Sequence, residues 1–166
     1  EQKILGFLAQ NGYTVEKRKK NDHHAKAYHP VGGLLEIHVR LYSVPTEKLI
    51  LDGLTLYTEP WRKIEIEGSS FYTLGINDSL MYLTAHYIKH LVNEGGGVRQ
   101  MMDLLLYIEK YKALIDFEKY NDTLKKLRYD RLIDTVKTVG AKYWGFDYPM
   151  PDESLADKIL SDSEQG

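Results

Sequence analysis

The 166 residues carry 22 basic against 24 acidic side chains, a net charge of -2, 43% apolar residues and no cysteine. That balance describes a solvated globular surface, argues against a dedicated nucleic-acid or membrane binder, and excludes disulfides and thiolate metal sites. No long apolar run or N-terminal hydrophobic segment marks a membrane span or a signal peptide, so a cytoplasmic protein of one domain, or part of one, is expected.

In chain order, Ile4, Leu5, Phe7 and Leu8 recur at helical spacing, and Asn11-Gly12 supplies a stop that tolerates positive φ. Because Glu1 runs straight into this pattern, further sequence upstream is expected to belong to the same unit. Tyr13–Lys19 and His23–Pro30 alternate in part around Lys20-Asn21-Asp22 and predict a hairpin. After the turn at Gly32-Gly33, Leu34–Leu41 alternates well. Leu35, Ile37, Val39 and Leu41 share one face, and Glu36, His38 and Arg40 share the other, within about 14 Å at the rise of a strand. The stretch from Ser43 to Gly75, with Pro45, Pro60 and Gly68, predicts an irregular connection with short strands. From Asn77 the period changes: Leu80, Leu83, Tyr87, Ile88 and Leu91 predict a long helix capped by Asn77 or Asp78 and ended by Gly95-Gly96-Gly97. Helical patterns follow over Val98 to about Lys112, Phe117–Leu127, Asp130–Trp144 and from Glu153 to the end. Strands first and helices afterwards is an α+β order rather than a βαβ alternation.

Three polar constellations carry possible chemistry. Glu36 beside His38 needs a cation, a hydrogen-bond partner or a metal if it is buried, and is ordinary polar surface if that face meets water. His86 and His90, four apart, share a helix face, but Ala85 and Tyr87 flank the first histidine where a helical zinc protease needs a glutamate. Arg99 and Asp103 are again four apart; they are a surface ion pair, or part of one polar patch if the glycine turn folds them back towards His86 and His90. With Asp103, the two histidines also suit a metal-dependent phosphohydrolase. His23, His24 and His29 form a looser set on the expected hairpin. Gly32-Gly33 does not precede a helix, so it reads as a turn and not as a phosphate cradle.

The order of these pieces resembles the uncharacterised nucleotidyltransferase family of bacterial proteins, relatives of the nucleotidyltransferases of toxin and antitoxin systems. The likeness runs from Glu1 to Glu109. It rests on Gly12-Tyr13 after the opening helix, on the His23-His24 strand and on Gly33-Leu34-Leu35-Glu36-Ile37-His38. It continues through Asp78-Ser79-Leu80-Met81-Tyr82-Leu83-Thr84-Ala85-His86-Tyr87-Ile88-Lys89-His90 to Arg99 and Asp103. The resemblance implies a small, mostly antiparallel nucleotidyltransferase-like sheet followed by a helical bundle, divided as residues 1–75 and 76–166, with the helical part packed on the first. It also implies a nucleoside triphosphate substrate, an acceptor it does not identify, and Mg2+ or Mn2+ held by three carboxylates.

On this resemblance Glu36 takes the place of the third carboxylate, as catalytic residue and metal ligand. His38, His86, His90, Arg99 and Asp103 are the nucleotide-binding candidates, with Arg99 or a histidine meeting phosphate and Asp103 orienting it. The family's Gly-Ser motif and Asp-x-Asp pair are not found upstream of Tyr13. The expectation is therefore that these residues alone do not catalyse transfer. The alternative is a catalytically silent module that binds a nucleotide or a protein in a defence or regulatory system. A sheet edge that would pair with further strands makes a homodimer possible.

Overall fold

The structure, a computed structural model, describes residues 2–16, 18–19, 22–38, 59–94 and 97–164. The chain divides into two compact units, Glu1–Asp52 and Gly53–Gly166. It is α+β, with small antiparallel sheets and a run of helices after them.

In the first unit, helix α1 (Gln2–Gln10) ends where Asn11 donates its side-chain Nδ2 to Phe7 O at 2.8 Å and Gly12 turns to a φ of 84°. Strands β1 (Thr14–Val15), β2 (His24–His29) and β3 (Gly33–His38) form an antiparallel sheet in that order. The strand expected over Tyr13–Lys19 shortens to two residues. Past the bond from Glu16 N to Lys26 O, the chain closes on Asp22: its carboxylate accepts from Lys19 N at 3.1 Å, and its carbonyl accepts from Arg18 Nη1 at 2.7 Å. A local turn around an aspartate competes with the ladder and wins here. The register sets Val15 against Ala27, Ala25 against Ile37, Lys26 against Glu36 and His24 against His38. Directly opposed residues share a face, so Val15, Ala25, Ala27, Leu35 and Ile37 form an apolar face. Ala25 and Ala27 are buried on it. His24, Lys26, Glu36 and His38 lie on the other. Val39, Arg40 and Leu41, expected to continue β3, fall outside the described residues.

The second unit opens with the hairpin of β4 (Arg62–Ile66) and β5 (Ser69–Thr73), joined by Glu67 and Gly68 at φ of 48° and 79°. Two central residues with positive φ make the primed turn whose twist suits a two-residue hairpin. This hairpin makes a two-stranded sheet of its own and lies in the unit Gly53–Gly166.

Five helices follow: α2 (Ile76–Glu94), α3 (Val98–Tyr111), α4 (Phe117–Leu127), α5 (Asp130–Trp144) and α6 (Glu153–Glu164). The cap of α2 is not Asn77 or Asp78, which lie inside its first turn. Instead Glu59, far upstream, accepts from Asn77 N at 2.8 Å, from Asn77 Nδ2 at 2.6 Å and from Asp78 N at 3.4 Å. Asp78 in return accepts from Glu59 N at 2.9 Å, so the two carboxylates satisfy each other's backbone as a capping box does. Asp116 caps α4 by accepting from Lys119 N, Arg128 ends it in the left-handed region, and Gly145 ends α5 at a φ of 75°.

Leu80 and Tyr87 of α2, Met101, Leu104, Leu105 and Ile108 of α3, Tyr120 and Leu124 of α4, and Ile133 and Val136 of α5 make one core. Burying a side chain of this size stabilises by about 1.5–3 kcal/mol. Thr84 bonds Tyr120 OH at 2.8 Å across that core. The Tyr120 hydroxyl is thus satisfied, while burial pushes its pKa well up. The Leu105 side chain of α3 packs onto Gly140 of α5, where a Cβ would run into it. Among the described residues no helix is long and apolar enough to cross a membrane.

Candidate functional site

The polar face of the first sheet gathers imidazoles around Glu36. Its carboxylate lies 3.5 Å from His24 Nε2 and 3.6 Å from His38 Nε2, with all three side chains partly exposed. The cross-strand register puts the two histidines opposite one another, and Glu36, two residues before His38 on β3, leans between them. His23 sits at the bend before β2, so it escapes the alternation that would turn it to the other face. Its ring meets the His24 ring almost edge-on at 4.4 Å between centroids, and its Nε2 is 3.1 Å from His24 Nδ1.

His29 does not join this set. Five residues from His24, it has the opposite strand parity, and its Nδ1 instead accepts from Val31 N at 3.2 Å and Gly32 N at 2.8 Å. It holds the turn between β2 and β3, with Tyr13 against its ring. His38 takes the place that the histidine-rich stretch suggested for His29.

In the second unit, α2 and α3 line a pocket of about 280 Å³ with Leu83, His86, Arg99, Gln100 and Asp103. Packing of α3 beside α2 thus brings Arg99 and Asp103 to His86. His90 is not part of this lining; its ring lies 4.5 Å from that of His86, at the end of a ladder that Tyr82 begins. Arg99 Nε and Asp103 Oδ2 are 3.9 Å apart, and Arg99 is 90% exposed. A pair this long and this exposed contributes well under about 1 kcal/mol, so the guanidinium is held weakly and is available to an anion. Immediately after His86, Tyr87 turns into the core, where burial pushes its hydroxyl pKa well up.

His86, His90 and Asp103, weighed above as a metal set, do not make a three-ligand cluster. Among the described residues that arrangement occurs at His23, His24 and His38, whose ligand atoms lie within 4.8 Å of one another. Glu36 and His38 are joined to His23 and His24 by a strand register, which spacing along the chain does not carry.

The fold and these two polar places define a mixed α+β protein with a carboxylate-and-imidazole strand face and a polar pocket between helices. The model of the uncharacterised nucleotidyltransferase family matches residues 2–142, and the chain belongs to that family. No curated protein and no solved structure matches it.

Proposed function

We propose that this chain contributes to nucleotidyl transfer from a nucleoside triphosphate. The observation that carries the reading is the family match over most of the chain, which brings the substrate class with it. Two local features support it. The pocket of His86, Arg99 and Asp103 presents an exposed guanidinium and an imidazole, donors suited to a phosphate, with Asp103 to orient them. Glu36, for its part, stands on a strand face among polar groups, where a reacting-site carboxylate would be held. His38 would steady that carboxylate, and His90 would support His86.

Mg2+ or Mn2+ would supply charge neutralisation on the triphosphate when bound. Hard cations prefer several oxygen ligands, however, and the described residues around Glu36 offer one carboxylate among three imidazoles. That donor set fits magnesium poorly by itself. What the chain's own residues do is hold phosphate at Arg99 and His86 and present a carboxylate at Glu36.

Calorimetric titration of nucleoside triphosphates with Mg2+ or Mn2+ tests the reading, using this chain with Glu36 and with Glu36→Ala. Metal-dependent binding by the first that is lost in the second supports it. Absence of binding in both supports instead a catalytically silent module whose partner is a protein.

A further inference from the structure

We propose that His23, His24 and His38 form a binding site for a divalent transition-metal ion of the zinc type, with Glu36 orienting the ligands from behind. The inference goes beyond nucleotidyl transfer and does not rest on it. Its basis is a donor set that magnesium chemistry does not call for: three imidazoles whose nitrogens lie within 4.8 Å of one another, on two paired strands and the bend that leads into them.

An ion that holds three nitrogens at about 2.0–2.1 Å in tetrahedral geometry spaces them about 3.3 Å apart. His23 Nε2 and His24 Nδ1 are already 3.1 Å apart. The ring centroids of His38 lie 5.3 Å from those of both His23 and His24, so side-chain rotation on a fixed hairpin closes the set. With Nδ1 of His24 turned towards His23, its other nitrogen faces the Glu36 carboxylate at 3.5 Å, and His38 presents Nε2 to the same carboxylate at 3.6 Å. A carboxylate behind a ligating imidazole fixes its tautomer and raises its basicity, the arrangement that metal-bound histidines favour. Imidazole donors select zinc and its neighbours over magnesium. Three protein ligands leave a fourth position for water or an oxygen of a substrate, as in an open rather than a closed zinc site. The bend at His23 is what makes the set possible. Within a regular strand, adjacent histidines would face opposite sides of the sheet.

The test uses the whole chain without a histidine tag, stripped with a chelator and titrated with Zn2+ and, separately, Mg2+. One zinc bound per chain with a Kd at or below about 10 µM is expected, with no magnesium response at the same concentrations. His23→Ala and His38→Ala each weaken zinc at least tenfold. Glu36→Gln weakens it by about 10–100-fold, as loss of an outer carboxylate does. His90→Ala leaves it unchanged. Where a variant loses its fold by circular dichroism, imidazole 15N shifts of the wild-type chain decide: zinc moves His23, His24 and His38 and leaves His86 and His90 in place. Zinc binding weaker than about 1 mM, or shifts centred on other histidines, overturns the proposal. Failure here leaves triphosphate binding untouched, and failure of triphosphate binding leaves this result untouched, so the two are distinguishable.

Discussion

Removing the Glu59 carboxylate tests the remote cap of α2. In Glu59→Ala the backbone amides of Asn77 and Asp78 and the side-chain amide of Asn77 lose the acceptor they share. Loss of a helix cap costs about 0.5–2 kcal/mol, and loss of a negative charge at a helix N-terminus about 0.3–1 kcal/mol more. The expected destabilisation is about 2 kcal/mol, which for a unit of this size lowers Tm by roughly 6–12 °C. Thermal and urea unfolding followed at 222 nm reads the change, and hydrogen exchange at Asn77 and Asp78 locates it. Gly75 supplies an internal control, since a Cβ there would run into the Glu59 side chain. Gly75→Ala destabilises the wild type by about 1–3 kcal/mol through overpacking, and by much less in the background of Glu59→Gly, which also removes the Glu59 Cβ that the new methyl meets. A Glu59→Ala change within about 0.5 kcal/mol of wild type, or additive effects in the double variant, would refute the reasoning.

Tyr87 is fully buried and its hydroxyl has no hydrogen-bond partner among the described residues. Tyr87→Phe keeps the ring and removes the unpaired group, so stability is expected to stay level or rise by about 1 kcal/mol, and a clear loss in urea unfolding would contradict that. Asp157 of α6 accepts from Lys142 at 2.7 Å and from Tyr143, both on α5, and the Lys142 ammonium first and the Tyr143 hydroxyl second hold its carboxyl below the ordinary aspartate value. A carboxyl with a lowered folded pKa stabilises above its unfolded pKa, and that contribution is lost as pH falls through the folded value. Asp157→Asn is therefore less stable than wild type at pH 7, and the gap closes below the ordinary aspartate pKa of 3.8; hydrogen exchange on α6 at pH 7 and in acid checks both arms.

Much of the helical part was legible in the sequence, and for stated reasons. The bounds of α4 and α5 follow from apolar period, and the structure adds Asp116 as the cap of the first and Gly145 as the left-handed stop of the second. The β2–β3 hairpin follows from alternation on either side of Gly32-Gly33. What escaped depended on contacts that apolar period and alternation do not encode. Glu59 caps a helix that starts well downstream of it, and no local signal marks that. β1 stopped after two residues because Asp22 gathers the backbone around it. The histidine cluster needed the register that sets His24 against His38, although the parity that excludes His29 was readable from spacing alone.

On the proposed reading, the pocket between α2 and α3 receives the phosphates of a nucleoside triphosphate. Backbone amide spectra of the chain, recorded while a non-hydrolysable triphosphate is added with Mg2+, test it most directly. Saturable shifts are expected at His86, Arg99 and Asp103, abolished by Arg99→Ala. Saturable binding that moves none of these three would contradict it, as would a pocket that gives no response at millimolar triphosphate.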